Sequence, residues 1–240
     1  MSIGLPLNSG LSSCSTAAKN ASMSAWTIVR GQDIFCSVQS NAVSDQTFTL
    51  NRVEDFLRSR PPKKVSQALI KRRAAVALIL RYSGDSPEIL LMKRAHRDGD
   101  RWSGQISMPG GREEEEDESI IETSIRETEE ELGVDLHRHG RYLGRLDDVR
   151  AVAKGKILAM SITPCVFVLE SEPKLNLGDE ADDAFWLPLS PTSNGSFDST
   201  YELKMGPASF KMPSWEYKGH TIWGLTYKML GGFIEHLKSR

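Results

Sequence analysis

The 240-residue chain has no long apolar run: the longest, Ala74 to Leu80, falls far short of the roughly 20 residues that a membrane-spanning helix needs. A membrane partner is therefore not expected. Cysteine is sparse, and Cys14, Cys36 and Cys165 form no Cys-x-x-Cys pair. This argues against a disulfide framework or a zinc knuckle and suits a reducing compartment. Neither sign of charge is in large excess; a net value of −2 provides no basic field for a nucleic acid polymer. Acid is absent from residues 1–30, a serine-rich stretch containing Lys19 and Arg30. Organelle transit peptides share that composition but carry more arginine. Residues 1–46 are accordingly read as an N-terminal extension without a stable fold. The chain is expected to be intracellular, cytoplasmic on this reading, with a mitochondrial or other organellar address as the alternative.

What is present, 39% apolar and 26% charged residues, is the balance of an ordinary globular protein. Residues 47–73 predict a short helix and a basic linker. Asn51 can cap a helix over Asn51–Arg60, with Glu54 three residues on and Val53, Phe56 and Leu57 on one face. Pro61-Pro62 ends it, and Arg58 to Arg73 holds seven basic residues.

Residues 74–240 predict one domain, a mixed sheet flanked by helices. Ala74–Arg81 and Glu88–Lys93 read as a hairpin around Ser83-Gly84-Asp85. Gln105–Met108 reads as a short strand stopped by Pro109-Gly110-Gly111. Further strands are expected at Tyr142–Leu146, at Ile157–Leu169 (split or bent at Ser161–Pro164) and at Ala184–Leu187. Residues 190–219 look turn-rich with short extended pieces. In His220–Leu237, Trp223, Tyr227, Leu230, Ile234 and Leu237 share a helical face, which Gly231-Gly232 weakens by roughly 1 kcal/mol per glycine.

The chemistry concentrates on a helix predicted over Ser119–Leu132. Ser119 and Glu122 have capping-box spacing, Gly133 suits a left-handed C-terminal residue, and Ile121, Ile125, Thr128 and Leu132 form a buried stripe. With Glu127 at 0° and about 100° per residue, that stripe centres near 130°, Glu131 lies near 40° and Glu130 near 300°. The three carboxylates are thus expected together on the side turned from the core, where their mutual repulsion favours a bound cation. Oxygen ligands at this spacing suit Mg2+ or Mn2+, which leave positions open for phosphate oxygens and water. Arg112 to Val134 carries eleven acids against two arginines, a density that makes sense beside a metal–phosphate centre.

From Gly111 to Val134 the sequence GREEEEDESIIETSIRETEEELGV resembles the Nudix box, G-x5-E-x7-R-E-U-x-E-E-x-G-U, where U is a bulky apolar residue. Arg126, Glu127, Glu130, Glu131, Gly133 and Val134 match, and Glu118 stands for the earlier glutamate. Six residues rather than five separate Gly111 from Glu118, and Thr128 occupies an apolar position. LLMKRAHRDGDRWSGQISMPGGR resembles the coenzyme A pyrophosphatase branch, with Met108 for the usual Phe and Trp102-Ser103 for a His-containing pair. GRLDDV, DEADDAFWLPL and GHTIWGLTYKML are similar to that branch as well.

The resemblance implies an α/β fold, an α/β/α sandwich with a mixed β-sheet. It also implies hydrolysis of a pyrophosphate bond in a small nucleotide-like substrate, coenzyme A or a derivative. ADP-ribose, dinucleoside polyphosphates and oxidised nucleoside triphosphates are the alternatives, and a non-catalytic binding module is a second. Glu127 and Glu131 are implied as primary metal ligands, with Glu130 next and a backbone carbonyl near Gly111 completing the sphere. Arg126 would orient these carboxylates by pairing with Glu118, its rival partners being Glu122 and Glu130. Glu127, Glu130, Arg126 and Glu118 make up the catalytic set.

Gly110 and Gly111 would allow close approach of backbone to metal or phosphate, and Arg94 and Arg97 would bind substrate phosphates. The general base stays open among the helix glutamates, Glu180 and Asp183, whereas Asp147 and Asp148 suit turn-capping better. Trp102 and Trp215 are candidates to stack on a base; Trp223 suits core packing. Nothing decides between a monomer and a homodimer.

Overall fold

Ala74 to Leu80 is apolar at every position because the strand it forms is covered on both faces. In the computed structural model this strand, β1 (Arg72–Ser83), sends Leu78 and Leu80 into one buried cluster and Ala77 and Ile79 into another. The structure describes residues 46–239 except 67, 69, 84, 85, 100, 101, 154 and 155. The expectations for residues 1–45 and for the Gly84-Asp85 turn lie outside the described residues.

Around β1 runs a mixed eight-stranded sheet. β2 (Ser86–Arg94) pairs antiparallel with its C-terminal half, and β4 (Gly110–Arg112) pairs antiparallel with Ala74–Val76. On the other edge β7 (Lys156–Leu169) runs parallel to β1. β3 (Ile106–Ser107) and β8 (Ala181–Pro188) flank β2. β5 (Gly140–Arg145) and β6 (Val149–Ala153) pair with successive halves of β7.

Helix α2 (Ile120–Leu132) and the short α3 (Leu136–His139) cover one face through Ile125, Leu132 and Leu136, with Val134 of the link between them. The other face is covered by α1 (Leu50–Ser59), through Val53 and Phe56, and by α5 (Gly224–Lys238), through Leu230, Phe233 and Ile234. The result is the α/β/α sandwich with a mixed sheet that the sequence implied. A five-residue helix α4 (Leu189–Ser193) leads from β8 to a separate antiparallel sheet of β9 (Asp198–Met205), β10 (Ala208–Tyr217) and β11 (His220–Trp223).

Several local expectations are corrected. α1 starts at Leu50 with Thr49 as its uncapped N-terminal neighbour, because Glu54 is held by Arg58 and Arg141 instead. β7 is one continuous strand: Pro164 falls where pairing passes from β6 to β5, a place that tolerates a missing N–H. Residues 190–219 contain two long strands, and β9 keeps no buried residue that would print an apolar alternation. Residues 220–223 are strand β11 rather than helix, because they pair with Ser214–Tyr217. Segment 47–73 is no bare linker: Phe48, Val53 and Phe56 join the main core, and Asp147 and Asp148 accept from the Lys63 and Val65 backbone N–H groups.

Gly231 and Gly232 sit inside α5, where an added Cβ would meet no atom within 4 Å. Gly231→Ala and Gly232→Ala are each expected to raise stability by about 1 kcal/mol, as glycine-to-alanine changes do within a helix. Urea unfolding measures this; a lower midpoint in either variant would mean the glycines serve packing that the open space does not reveal.

Candidate active site

α2 starts and stops where its local chemistry requires. The Ser119 hydroxyl accepts the Glu122 N–H at 3.3 Å, and Gly133, at φ 67°, donates its N–H to the Glu129 carbonyl. Glu122 does not complete a capping box; its carboxylate meets His137 Nε2 at 2.9 Å. Thr128 is fully buried at an apolar position, because its hydroxyl donates to the Ser124 carbonyl at 2.6 Å and leaves no polar atom unsatisfied.

The helix face carrying the glutamates is rotated from the expected one. Glu131 is only 2% exposed and lies against β4, not on the solvent side. The strand permits this because it presents glycines: a Cβ on Gly110, which has φ 147°, would strike the Ala75 backbone, and one on Gly111 would strike the Glu127 carboxylate. The Gly110 N–H donates to Glu131 Oε2 at 2.8 Å. Glu131 Oε1 is buried without a hydrogen-bond partner, and Arg94 Nη1 stands 3.7 Å from it. Burial pushes the Glu131 carboxyl up to about 8; the Gly110 N–H and Arg94 oppose the rise, and Glu127 and Glu180 reinforce it. Glu127 is raised as well, first by burial, with Arg126 opposing.

Glu130 faces outward at 58% exposure and pairs with Arg126 at 3.1 Å. Glu130 thus stands apart from the buried Glu127 and Glu131, and both of those feel the charge of Glu180 on the loop before β8. Glu180 arrives by a backbone route. The loop before β8 follows the C-terminal end of α2, where Asn176 N donates to the Leu132 carbonyl and Gly178 N to that of Glu131. A Cβ on Gly178 would collide with the Glu130 carbonyl.

Arg126 holds the outer part of the site. Its guanidinium donates to Asp117 at 3.0 Å, to Glu127 and Glu130 at 3.1 Å and to the Arg112 carbonyl at 3.0 Å. The expected partner, Glu118, is exposed. Five intervening residues after Gly111 lead to Asp117, so the extra residue of the loop follows the acid instead of preceding it. Asp117 also accepts from the Thr123 hydroxyl and the Glu114 N–H. Hydrogen bonds from Arg126 lead the causes that lower its carboxyl to about 2.

These groups open onto a cleft of about 880 Å³ whose lining includes Arg94, Arg97, Trp102, Gly110, Gly111, Glu127 and Glu180. Arg97 pairs with Glu180 at 2.9 Å. A further part of the lining, with Met108, Leu158, Met160 and Ile162, is apolar; of these only Met108 was singled out in the sequence. Trp215 instead packs on Tyr227 and Trp223 stacks on Tyr201. Asp183 pairs with His220, away from the glutamates.

A buried carboxylate oxygen that accepts no hydrogen bond, one helical turn from a second carboxylate of raised pKa, is a donor set that fits a hard divalent cation. Among the described residues no three His, Cys, Asp or Glu side chains already stand together at ligating spacing; Glu127 is turned to Arg126. Among them too, no helix is long and apolar enough to cross a membrane.

Residues 71–198 match the model of the NUDIX domain. The chain therefore belongs to the Nudix family, the pyrophosphohydrolase class that its glutamate-bearing loop and helix implied. It is 30% identical over 178 residues to the mitochondrial coenzyme A diphosphatase NUDT8 of Mus musculus, an alignment covering 74% of this chain and 79% of that protein. It is 35% identical over 139 residues to the uncharacterized protein C14C4.10c of Schizosaccharomyces pombe, covering 50% of this chain but only 42% of the yeast protein. A C. elegans Ap4A hydrolase in a binary complex gives a TM-score of 0.43 at 21% identity, over 51% of this chain and 84% of that one.

Asp117→Asn is expected to cost about 2 kcal/mol at neutral pH, the scale of hydrogen bonds to a charged group. Because the folded-state pKa is depressed, this stability is present above the unfolded value of 3.8 and is lost as pH falls through about 2. Denaturation of both proteins from pH 7 to pH 2 should show the gap closing. A constant gap would mean that the Asp117 charge plays no part.

Proposed function

We propose that this chain hydrolyses a pyrophosphate bond in coenzyme A or one of its derivatives, with Mg2+ or Mn2+ as cofactor. The observation that carries the reading is Glu131, a buried carboxylate with one oxygen that accepts no hydrogen bond, one helical turn from Glu127, which lines a cleft together with Arg94 and Arg97. Members of the family generally use divalent metals. Glu127 and Glu131 would hold the ion, with Glu180 and the backbone at Gly111 nearby and Glu130 reaching it only by leaving Arg126. A divalent ion bound there supplies charge neutralisation and a more acidic water.

The rest of the chemistry belongs to the protein's own groups. Arg94 and Arg97 lie where they can take up phosphate charge, Arg97 by exchanging its pairing with Glu180. Glu180, once released, is a carboxylate on the cleft wall able to accept a proton from attacking water. Gly110 and Gly111 bring backbone rather than side chain against the phosphates. Arg126 keeps Glu127 in place through Asp117. The coenzyme A preference draws on the likeness to the mouse coenzyme A diphosphatase and on the apolar wall, which suits a long, weakly polar arm. The N-terminal resemblance to a transit peptide and that relative's mitochondrial designation make an organellar location the competing reading to a cytoplasmic one.

Product release from coenzyme A, ADP-ribose, a dinucleoside polyphosphate and an oxidised nucleoside triphosphate, each with Mg2+ or Mn2+, tests the proposal. Coenzyme A should be the best substrate. Glu131→Gln should lower kcat by at least about 100-fold, roughly 2.7 kcal/mol of transition-state stabilisation. Equal rates for the two proteins would refute the ligand assignment. Turnover only of the other substrates would refute the coenzyme A reading, and no turnover of any would leave a binding module.

A further inference from the structure

The cleft has a second charged end that the chemistry above does not use. Lys71, Arg72 and Arg112 line it, and all three are exposed. None has an acidic partner among the described residues, in contrast to Arg73, which holds Glu113 at 2.8 Å. Among the described residues, the only acids lining the cleft are Glu127 and Glu180. Cations gathered without counter-charge on the rim of a concave surface repel one another, a cost that an incoming anion removes.

Strand register fixes the geometry. Ala74 of β1 lies opposite Arg112 of β4 in an antiparallel pair. Side chains alternate along a strand, so Arg72 emerges on the same face as Ala74 and sits diagonally across from Arg112, about 7–8 Å away before its side chain reaches out. Ala74, the residue opposite Arg112, has a methyl side chain and also lines the cleft. Two guanidinium groups over a small residue leave space for one tetrahedral anion, and arginine's planar fork suits phosphate oxygens.

Their distance from the glutamates matters as much. Ala75 pairs with Gly111, whose backbone adjoins the Glu127 carboxylate. Arg72 is three residues before Ala75, roughly 10 Å along the strand, and like Arg112 it leaves the sheet on the face opposite to Gly111 and Glu127, both faces opening into the one cleft at the β4 edge. One sugar ring with its ester arms can bridge that separation. The neighbouring wall is apolar, with Leu158, Met160 and Ile162, so the anion would sit at the edge of a surface able to take a base or a ribose face.

We propose that Arg72 and Arg112 form a subsite for a phosphate monoester that the substrate carries outside its diphosphate, as on the ribose of a 3′-phosphorylated adenine nucleotide. They are specificity-determining residues, separate from the glutamates. The inference rests on the proposed function in placing the diphosphate over Gly110, Gly111 and Glu127.

Adenosine 3′,5′-bisphosphate and 5′-AMP, neither of which contains a pyrophosphate bond, are the probes. By titration calorimetry the wild type should bind the bisphosphate at least about tenfold more tightly, a difference of one decade in Kd. In Arg72→Gln/Arg112→Gln the two affinities should converge. The paired lysine variant, which keeps charge but loses the fork, should fall between. Melting curves establish that the variants are folded, and the single substitutions serve if the double one is not. Equal affinities in the wild type, or a preference that survives the glutamine changes, would overturn the subsite. A bisphosphate preference that behaves as expected in a protein without diphosphatase activity would reject the hydrolase reading and leave the subsite standing.

Discussion

The placement of a glutamate carboxylate against a glycine strand governs the architecture of this site. Glu131 is buried where a carboxylate is expensive to ionise, and its one satisfied oxygen is held by the Gly110 N–H. That contact exists only because β4 lacks side chains on the surface facing α2. Any side chain at Gly111 would displace Glu127, and one at Gly110 would separate β4 from β1. Helix, strand and central sheet are thus fixed in one arrangement by a residue type at two positions and a charge at a third.

Around this contact the protein separates tasks by depth. Glu127 and Glu131 are cut off from water, a condition that favours proton or cation uptake. The outer shell is saturated instead: Arg126 binds Asp117, Glu127, Glu130 and a backbone carbonyl together, so that the acidic loop 113–118 is bound to α2 despite its charge. The apolar wall opposite is supplied by β3, β7 and α5. Distant parts of the chain therefore meet in one cleft because the sheet stacks them there.

What could be read in the sequence was what depends on neighbours along the chain. Ser119, Gly133 and the spacing of Ile125, Thr128 and Leu132 identified α2, because capping and periodicity are local. The β1 run and the C-terminal helix were legible for the same reason. Burial of Glu131 was not, since a helical wheel locates the core by apolar side chains and the partner here is a bare backbone. Asp117 was missed in favour of Glu118 because a motif count cannot tell on which side of an acid a loop has grown. Glu180 could be named as a candidate only; its approach depends on backbone bonds between residues 176–178 and the end of α2. The β9–β10 hairpin escaped notice because its surfaces are largely wet.

The parallel pairing of β1 with β7 has a consequence for how the chain acquires its shape. Arg72 and its partner Met160 are 88 positions apart, and the apolar face bearing Leu78 and Leu80 receives α5 only from Gly224 onward. During synthesis the central strand therefore emerges long before either its parallel neighbour or its final helical cover. Such distant pairings are slow to form, and an apolar strand awaiting them is prone to associate with other chains. In a nascent chain that strand stays incompletely covered until both β7 and α5 have followed it.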